Sequence, residues 1–239
     1  MAVTAQRDFE KAKSGHRVWV VPTCIRYKYD QDITPQLTAA VDAMDQRLMI
    51  KPNAQKPLHE RIVTIGDMLL TIKEKEQLGQ AGDGAGGDLP TRLNRLINHL
   101  LTKHETTYFG KTSDGDSVPL RVKVLRRAIL EKLAAENVKP PVPPAQQTAL
   151  DDLHLALQLY SYPGDYVSGK PTVERMAETI EKFEEDLNGV SAPKGTRSAT
   201  VTFGEPIDVA PHVESRPRAA SVEITSQLED RIRAMMTNT

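Results

Sequence analysis

Strand-like sequence occurs only near the two ends of this chain, and helical periodicity fills residues 30–197 between them. Any sheet must therefore be closed by segments far apart in sequence, around or beside a large block of helices. The first segment holds Val18-Trp19-Val20-Val21, a continuous apolar run rich in β-branched residues. Such a run predicts a strand buried on both faces, as in a parallel sheet. Pro22 has no N–H to give a neighbouring strand, so it marks a bulge or a break. From Ile25 the pattern alternates, which predicts that the far end of the strand emerges from the core. The second segment, Ser198 to Phe203, sets Ala199, Val201 and Phe203 against Thr200 and Thr202, and ends in Gly204-Glu205-Pro206-Ile207. Two strands are marginal as an independent sheet. The expectation is either an unusually thin sheet covered by helices, or the later part of a larger α/β domain.

The helices follow from apolar spacing and end signals. A short one is predicted over residues 2–13, stopped at Ser14-Gly15, with no residue before Met1 to cap it. Thr34-Pro35 reads as N-cap and first helical residue of the next, whose apolar face is Leu37, Val41, Met44 and Leu48. From about Pro57 to Gln77, Leu58, Ile62, Ile65, Leu69 and Ile72 recur at spacings of 4, 3, 4 and 3. Further helices are predicted from Asp88 to Tyr108, Ser117 to Glu136, Ala145 to Tyr160, Thr172 to Leu187 and Ala219 to Met236. The one from Thr172 carries Met176, Ile180, Phe183 and Leu187 and is stopped by Asn188-Gly189. A glycine-rich linker, 79–88, and a proline-rich break, 139–144, punctuate the series. The fold class expected is α/β and helix-rich: an incomplete sheet with two clear strands and a large all-helical insertion. Residues 1–29 and 198–239 form the sheet-bearing part, and 30–197 the insertion.

Composition removes several functions. The formal net charge of −1 provides no global positive field for nucleic acid. At 5% aromatics, base-stacking platforms are disfavoured too. A single cysteine, Cys24, excludes an internal disulfide framework and any multi-cysteine zinc site. No apolar run approaches the length of a membrane span, and no signal peptide is visible. The expectation is a cytoplasmic setting, with peripheral contact at the inner membrane face left open.

Candidate chemistry is sparse. Gly82-Asp83-Gly84-Ala85-Gly86-Gly87 satisfies G-x-G-x-x-G, but a helix precedes it instead of a strand, so it reads as linker. Of the six histidines, His99 and His104 fall on different helix faces, and His59-Glu60 lacks the second histidine of a zinc motif. No metal site is expected. Cys24, inside a strand, reads as a small buried hydrophobe. Arg121, Lys123, Arg126 and Arg127 form a basic patch, read as a solvated helix face with an anion or lipid headgroup contact as the alternative. Tyr160, Tyr162 and Tyr166 surround Pro163-Gly164 and read first as a structural corner, second as the wall of a site.

Taken together, Val18-Trp-Val-Val-Pro22-Thr-Cys-Ile25-Arg-Tyr27 and Thr200-Val-Thr-Phe-Gly204-Glu-Pro-Ile207-Asp resemble two strand motifs of the glycerolipid acyltransferases. That family includes the 1-acyl-glycerol-3-phosphate acyltransferases, and the helical middle is similar to an insertion in some bacterial members. The resemblance implies transfer of an acyl group from a CoA or carrier-protein thioester to a glycerol-phosphate hydroxyl, with no metal or redox cofactor. It places Pro22 near the acyl-acceptor site as a substrate-binding residue. Thr23 stands where the family more often has an apolar residue. Two motifs that the family's catalysis needs do not occur. Five positions after His16, His59, His99, His104, His154 and His212 stand Val21, Thr64, His104, Phe109, Leu159 and Pro217, so no histidine has the aspartate that would orient it as general base. Glu-Gly occurs nowhere. The resemblance therefore implies the C-terminal part of such an enzyme, starting downstream of its catalytic half. The expected consequences are no activity, no catalytic residue in this chain, and an uncovered face and edge on the strand carrying Pro22. The alternative is a non-catalytic helical module that binds lipid or protein.

Overall fold

A computed structural model describes residues 1–53, 55–79, 86–113 and 115–237. The chain divides into two compact units, one from residues 1–32 and 195–239, the other from 33–194. The fold is α/β and helix-rich: eight α-helices and four short strands among the described residues.

In the first unit, α1 (Ala2–Lys11) is followed by β1 (Trp19–Val20) and β2 (Thr23–Tyr29). The chain returns with β3 (Arg197–Phe203), β4 (Ile207–Asp208) and α8 (Pro217–Thr237). β1 pairs with β4 and β2 with β3, both antiparallel. The expectation of two strands, one of them parallel and buried on both faces, is thus corrected. Pro22 divides the first segment into two strands, and each strand has a single partner. Among the described residues no third strand joins either ribbon, so Trp19 is 51% exposed and Val21 44%. The ladder register places Ile25 opposite Val201 and Thr23 opposite Phe203 on one face. Ile25, Tyr27, Val201 and Phe203 on that face are all exposed. The small core of this unit is Val3, Val209, Ala220 and Ile224. Buried Gln6 of α1 accepts the Val18 N–H at 2.7 Å, which ties the helix to the strand. Arg7 donates to the carbonyls of Val213 and Ser215, holding the chain just before α8.

The second unit contains α2 (Thr34–Arg47), α3 (Leu58–Leu78), α4 (Leu89–Phe109), α5 (Val118–Ala135), α6 (Pro144–Tyr160) and α7 (Val173–Asn188). α4 packs on α3, α5 and α6, while α7 packs on α2 and α3. Leu96, Leu100, Leu125, Ile129, Leu153 and Ala156 fill the α4–α5–α6 core. Caps explain several boundaries. The Asp88 carboxylate accepts the Thr91 N–H at 3.0 Å at the start of α4, and Thr172 accepts the Arg175 N–H at 3.3 Å at the start of α7. Gly189 at φ 77 ends α7 in the left-handed conformation that a side chain disfavours. Ile33, not Thr34, is the N-cap position of α2, so this helix starts one residue earlier than its sequence suggests.

Candidate functional site

The two segments that carry the acyltransferase resemblance meet in space. Pro22 is buried, and its carbonyl accepts the Gly204 N–H at 2.8 Å. A Cβ on Gly204 would fall 3.3 Å from Pro22 Cβ and 2.7 Å from Met235 Sδ, so a bare backbone is what allows this approach. The Gly204–Ile207 turn is held from α8, where the Arg231 guanidinium donates to the carbonyls of Glu205 and Pro206. Thr23 is exposed beside the turn, and Cys24 on β2 is half-buried rather than buried, because the ribbon covers it incompletely.

The helical unit contains a second place of interest, a cleft of about 710 Å³. Its floor and walls come from α3, the start of α4, the end of α6, the Tyr162–Val167 corner and α7. The tyrosine corner is thus a packed turn and the wall of a cavity at once. The Tyr162 ring stacks on Phe183 at 5.8 Å between centroids, and Lys182 Nζ lies 4.7 Å from the centroid of the Tyr162 ring. The Tyr162 hydroxyl donates to Asp186 Oδ2 at 3.1 Å, and that of Tyr166 to Glu178 Oε2 at 2.6 Å. Desolvation beside the apolar wall raises the Asp186 carboxyl above the usual carboxylate range, against the Tyr162 hydrogen bond and the Lys73 charge. Desolvation and the Asp186 charge push the Tyr162 phenol up in turn. Gly66, in the middle of α3, makes room here: a Cβ on it would lie 3.1 Å from Phe183 Cζ. Apolar spacing alone passes over Gly66; an isolated glycine inside a helical pattern is the signal that could have pointed to this close approach.

The remaining candidates are dispersed. Arg121 does not belong to a solvated patch. It is buried, and its guanidinium forks onto Glu105 at 2.8 and 2.9 Å while donating to Asn98 Oδ1 at 2.7 Å. Its spacing from Lys123 turns it inward, toward the carboxylate on α4. Lys123, Arg126 and Arg127 stay exposed on the outer face of α5. Beside them stand Leu120 (43% exposed), Val124 (45%) and Leu130 (47%). His104 is buried, with Nε2 2.8 Å from Asp152 Oδ2, and Lys103 Nζ reaches the same oxygen at 3.1 Å. This pair stabilises the α4–α6 contact. No group of three or more potential metal ligands forms among the described residues. Of the G-x-G-x-x-G segment, residues 82–85 lie outside the described residues. No described helix is long and apolar enough to cross a membrane.

Against models of protein families, curated proteins and solved structures, the chain matches none.

Proposed function

We propose that residues 1–29 and 198–239 are an acyltransferase-like sheet segment and that residues 30–197 are a helical insertion within it. The observation that supports this reading is the Pro22–Gly204 contact. Pro22 and Gly204 lie 182 residues apart in sequence. The Gly204 N–H donates to the Pro22 carbonyl at 2.8 Å, and the Gly-Glu-Pro-Ile turn packs on the strand break. In this reading the complete activity moves an acyl group from an acyl thioester to a glycerol-phosphate hydroxyl, and Pro22 shapes the acceptor end. The chain lacks the His-x4-Asp pair that would deprotonate the hydroxyl, so it does not turn over. Glycerol 3-phosphate titrated into the labelled protein should shift the amide resonances of Thr23 and Gly204, and Pro22→Ala should abolish those shifts. An acyl-transfer assay with acyl-CoA on the same sample should show no product above the protein-free control. Unmoved amides would remove the acceptor site, and clear turnover would overturn the inactive assignment.

A second reading, a non-catalytic helical module at a lipid surface, is favoured by the outer face of α5. Three exposed aliphatic side chains alternate there with Lys123, Arg126 and Arg127. Such a surface seats leucines among acyl chains and cations on anionic headgroups. The protein should co-sediment with vesicles containing anionic lipid at low salt and be released at high salt. Lys123→Glu/Arg126→Glu should prevent it, and a protein that stays in the supernatant at low salt refutes this reading.

A further inference from the structure

The cleft of the helical unit has the size and lining of a ligand site, about 710 Å³ with mainly aliphatic and aromatic walls. Its shape follows from α3. Ile62, Gly66, Leu69 and Lys73 line it along one stripe of that helix. At 1.5 Å per residue the stripe runs about 16 Å. The trough is therefore long, and it suits an extended chain better than a compact ring system.

The charges at the cleft decide the chemical class. Lys73 and Lys182 line it, and so do Glu178, Glu185 and Asp186. Each already has a protein partner. Lys73 Nζ donates to Glu76 at 2.9 Å, and Lys182 Nζ donates to the Ser161 carbonyl at 3.2 Å. Asp186 accepts from Tyr162, Glu178 from Tyr166, and Glu185 from the Ser191 hydroxyl at 3.1 Å. All five are engaged, so an ionic head of either sign would have to displace a protein partner to be paired. Placing an ion among them would leave it imperfectly paired beside apolar walls, which is costly. Gln158 also lines the cleft, and its side chain carries a carboxamide that can both donate and accept.

We propose that this cleft binds an uncharged, single-chain apolar molecule with one hydrogen-bonding end, of the long-chain alcohol class. The site goes beyond the acyltransferase reading and does not depend on it. The aliphatic stripe of α3 and the Tyr162–Phe183 stack take the chain, and Gln158 takes the polar end.

The test is a displacement titration on the 239-residue protein with N-phenyl-1-naphthylamine, an uncharged probe that brightens in apolar surroundings. Saturable brightening is expected, reversed by dodecanol. Dodecanoate and dodecylammonium should each need concentrations about tenfold higher or more, the penalty for seating an ion in an apolar trough. Leu69 and Ile72 are not fully buried, so bulk can be added at either without dismantling the core. Leu69→Trp and Ile72→Trp should weaken probe binding about tenfold or more with unchanged far-ultraviolet dichroism. If one of them fails to fold, the other decides. Leu130→Gln, on the α5 face, should leave binding unchanged. The proposal is overturned if brightening does not saturate, if either charged amphiphile displaces as well as dodecanol, or if Leu130→Gln is the variant that loses the probe. Glycerol 3-phosphate has no apolar chain, so its titration reads the Pro22 region separately, and either result can fail alone.

Discussion

Replacing Glu74 with alanine should lower the unfolding free energy of the helical unit by about 3–5 kcal/mol, the range for removing one partner of a buried ion pair. Glu74 on α3 is fully buried. Its carboxylate accepts from Arg92 Nη2 at 2.7 Å and from Arg95 Nη2 at 3.0 Å, both on α4. The same Arg92 guanidinium donates to Thr71 Oγ1 at 2.8 Å and pairs with Asp67. Deleting the carboxylate takes the buried partner from a guanidinium that is itself 7% exposed and leaves it only Thr71 and the half-exposed Asp67, which is what makes the loss large. The pair also sets an acid limit. Burial opposes ionisation of Glu74, but the hydrogen bonds and charges of Arg92 and Arg95 outweigh it, so the folded pKa lies below the ordinary 4.5. A carboxylate with a depressed folded pKa contributes stability above its unfolded pKa and loses it as pH falls through the folded one. Denaturant unfolding monitored by dichroism should therefore show stability declining below about pH 4.5, with a shallower decline in Glu74→Gln. A Glu74→Ala loss under about 1 kcal/mol would mean that the carboxylate is not desolvated as described.

Arg121→Ala should cost a comparable amount, about 3–5 kcal/mol, through the other buried fork. Glu105 is fully buried and receives Arg121 in bidentate geometry, plus the Ser113 N–H at 3.2 Å. Without Arg121 a carboxylate remains inside the α4–α5 interface. The neighbouring Arg127 supplies the control. Its ion pair with Glu131 is exposed on both sides, so Arg127→Ala should leave the denaturation midpoint unchanged. Replacing Arg121 and Glu105 together by methionine and leucine should recover most of the loss, because two apolar groups of similar volume need no partners. If the double replacement is as unstable as the single one, the interface depends on charge and not on filled volume.

Arginines 121 and 127 show where sequence reading stops. Periodicity located every helix of the middle section, because apolar stripes at 3 and 4 are set by the same geometry that packs them. It could not tell an outward arginine from an inward one, since the burial of Arg121 is decided by a carboxylate on another helix. The two long strand segments were found, but β4 and the antiparallel pairing were not legible. The run from Val18 to Val21 has the composition of a buried parallel strand, but among the described residues β1 has β4 as its single neighbour, and Trp19 and Val21 lie in the open. The cleft was half legible. Tyr162 and Tyr166 stood out, whereas nothing in the sequence marks Lys182 and Asp186 among the other charges of an amphipathic helix. Their role depends on α7 lying beside α3, a contact between residues distant in sequence.

The exposed Trp19 on β1 has a practical consequence. It is the sole tryptophan of the chain and lies in the first unit, while six long helices lie in the second. Indole emission therefore follows the melting of the ribbon and its small core, and far-ultraviolet ellipticity is dominated by the helices. Recorded on one sample, the two signals separate the denaturation of the units without labels or truncation. A Glu74 variant should move the ellipticity curve, whatever the indole curve does.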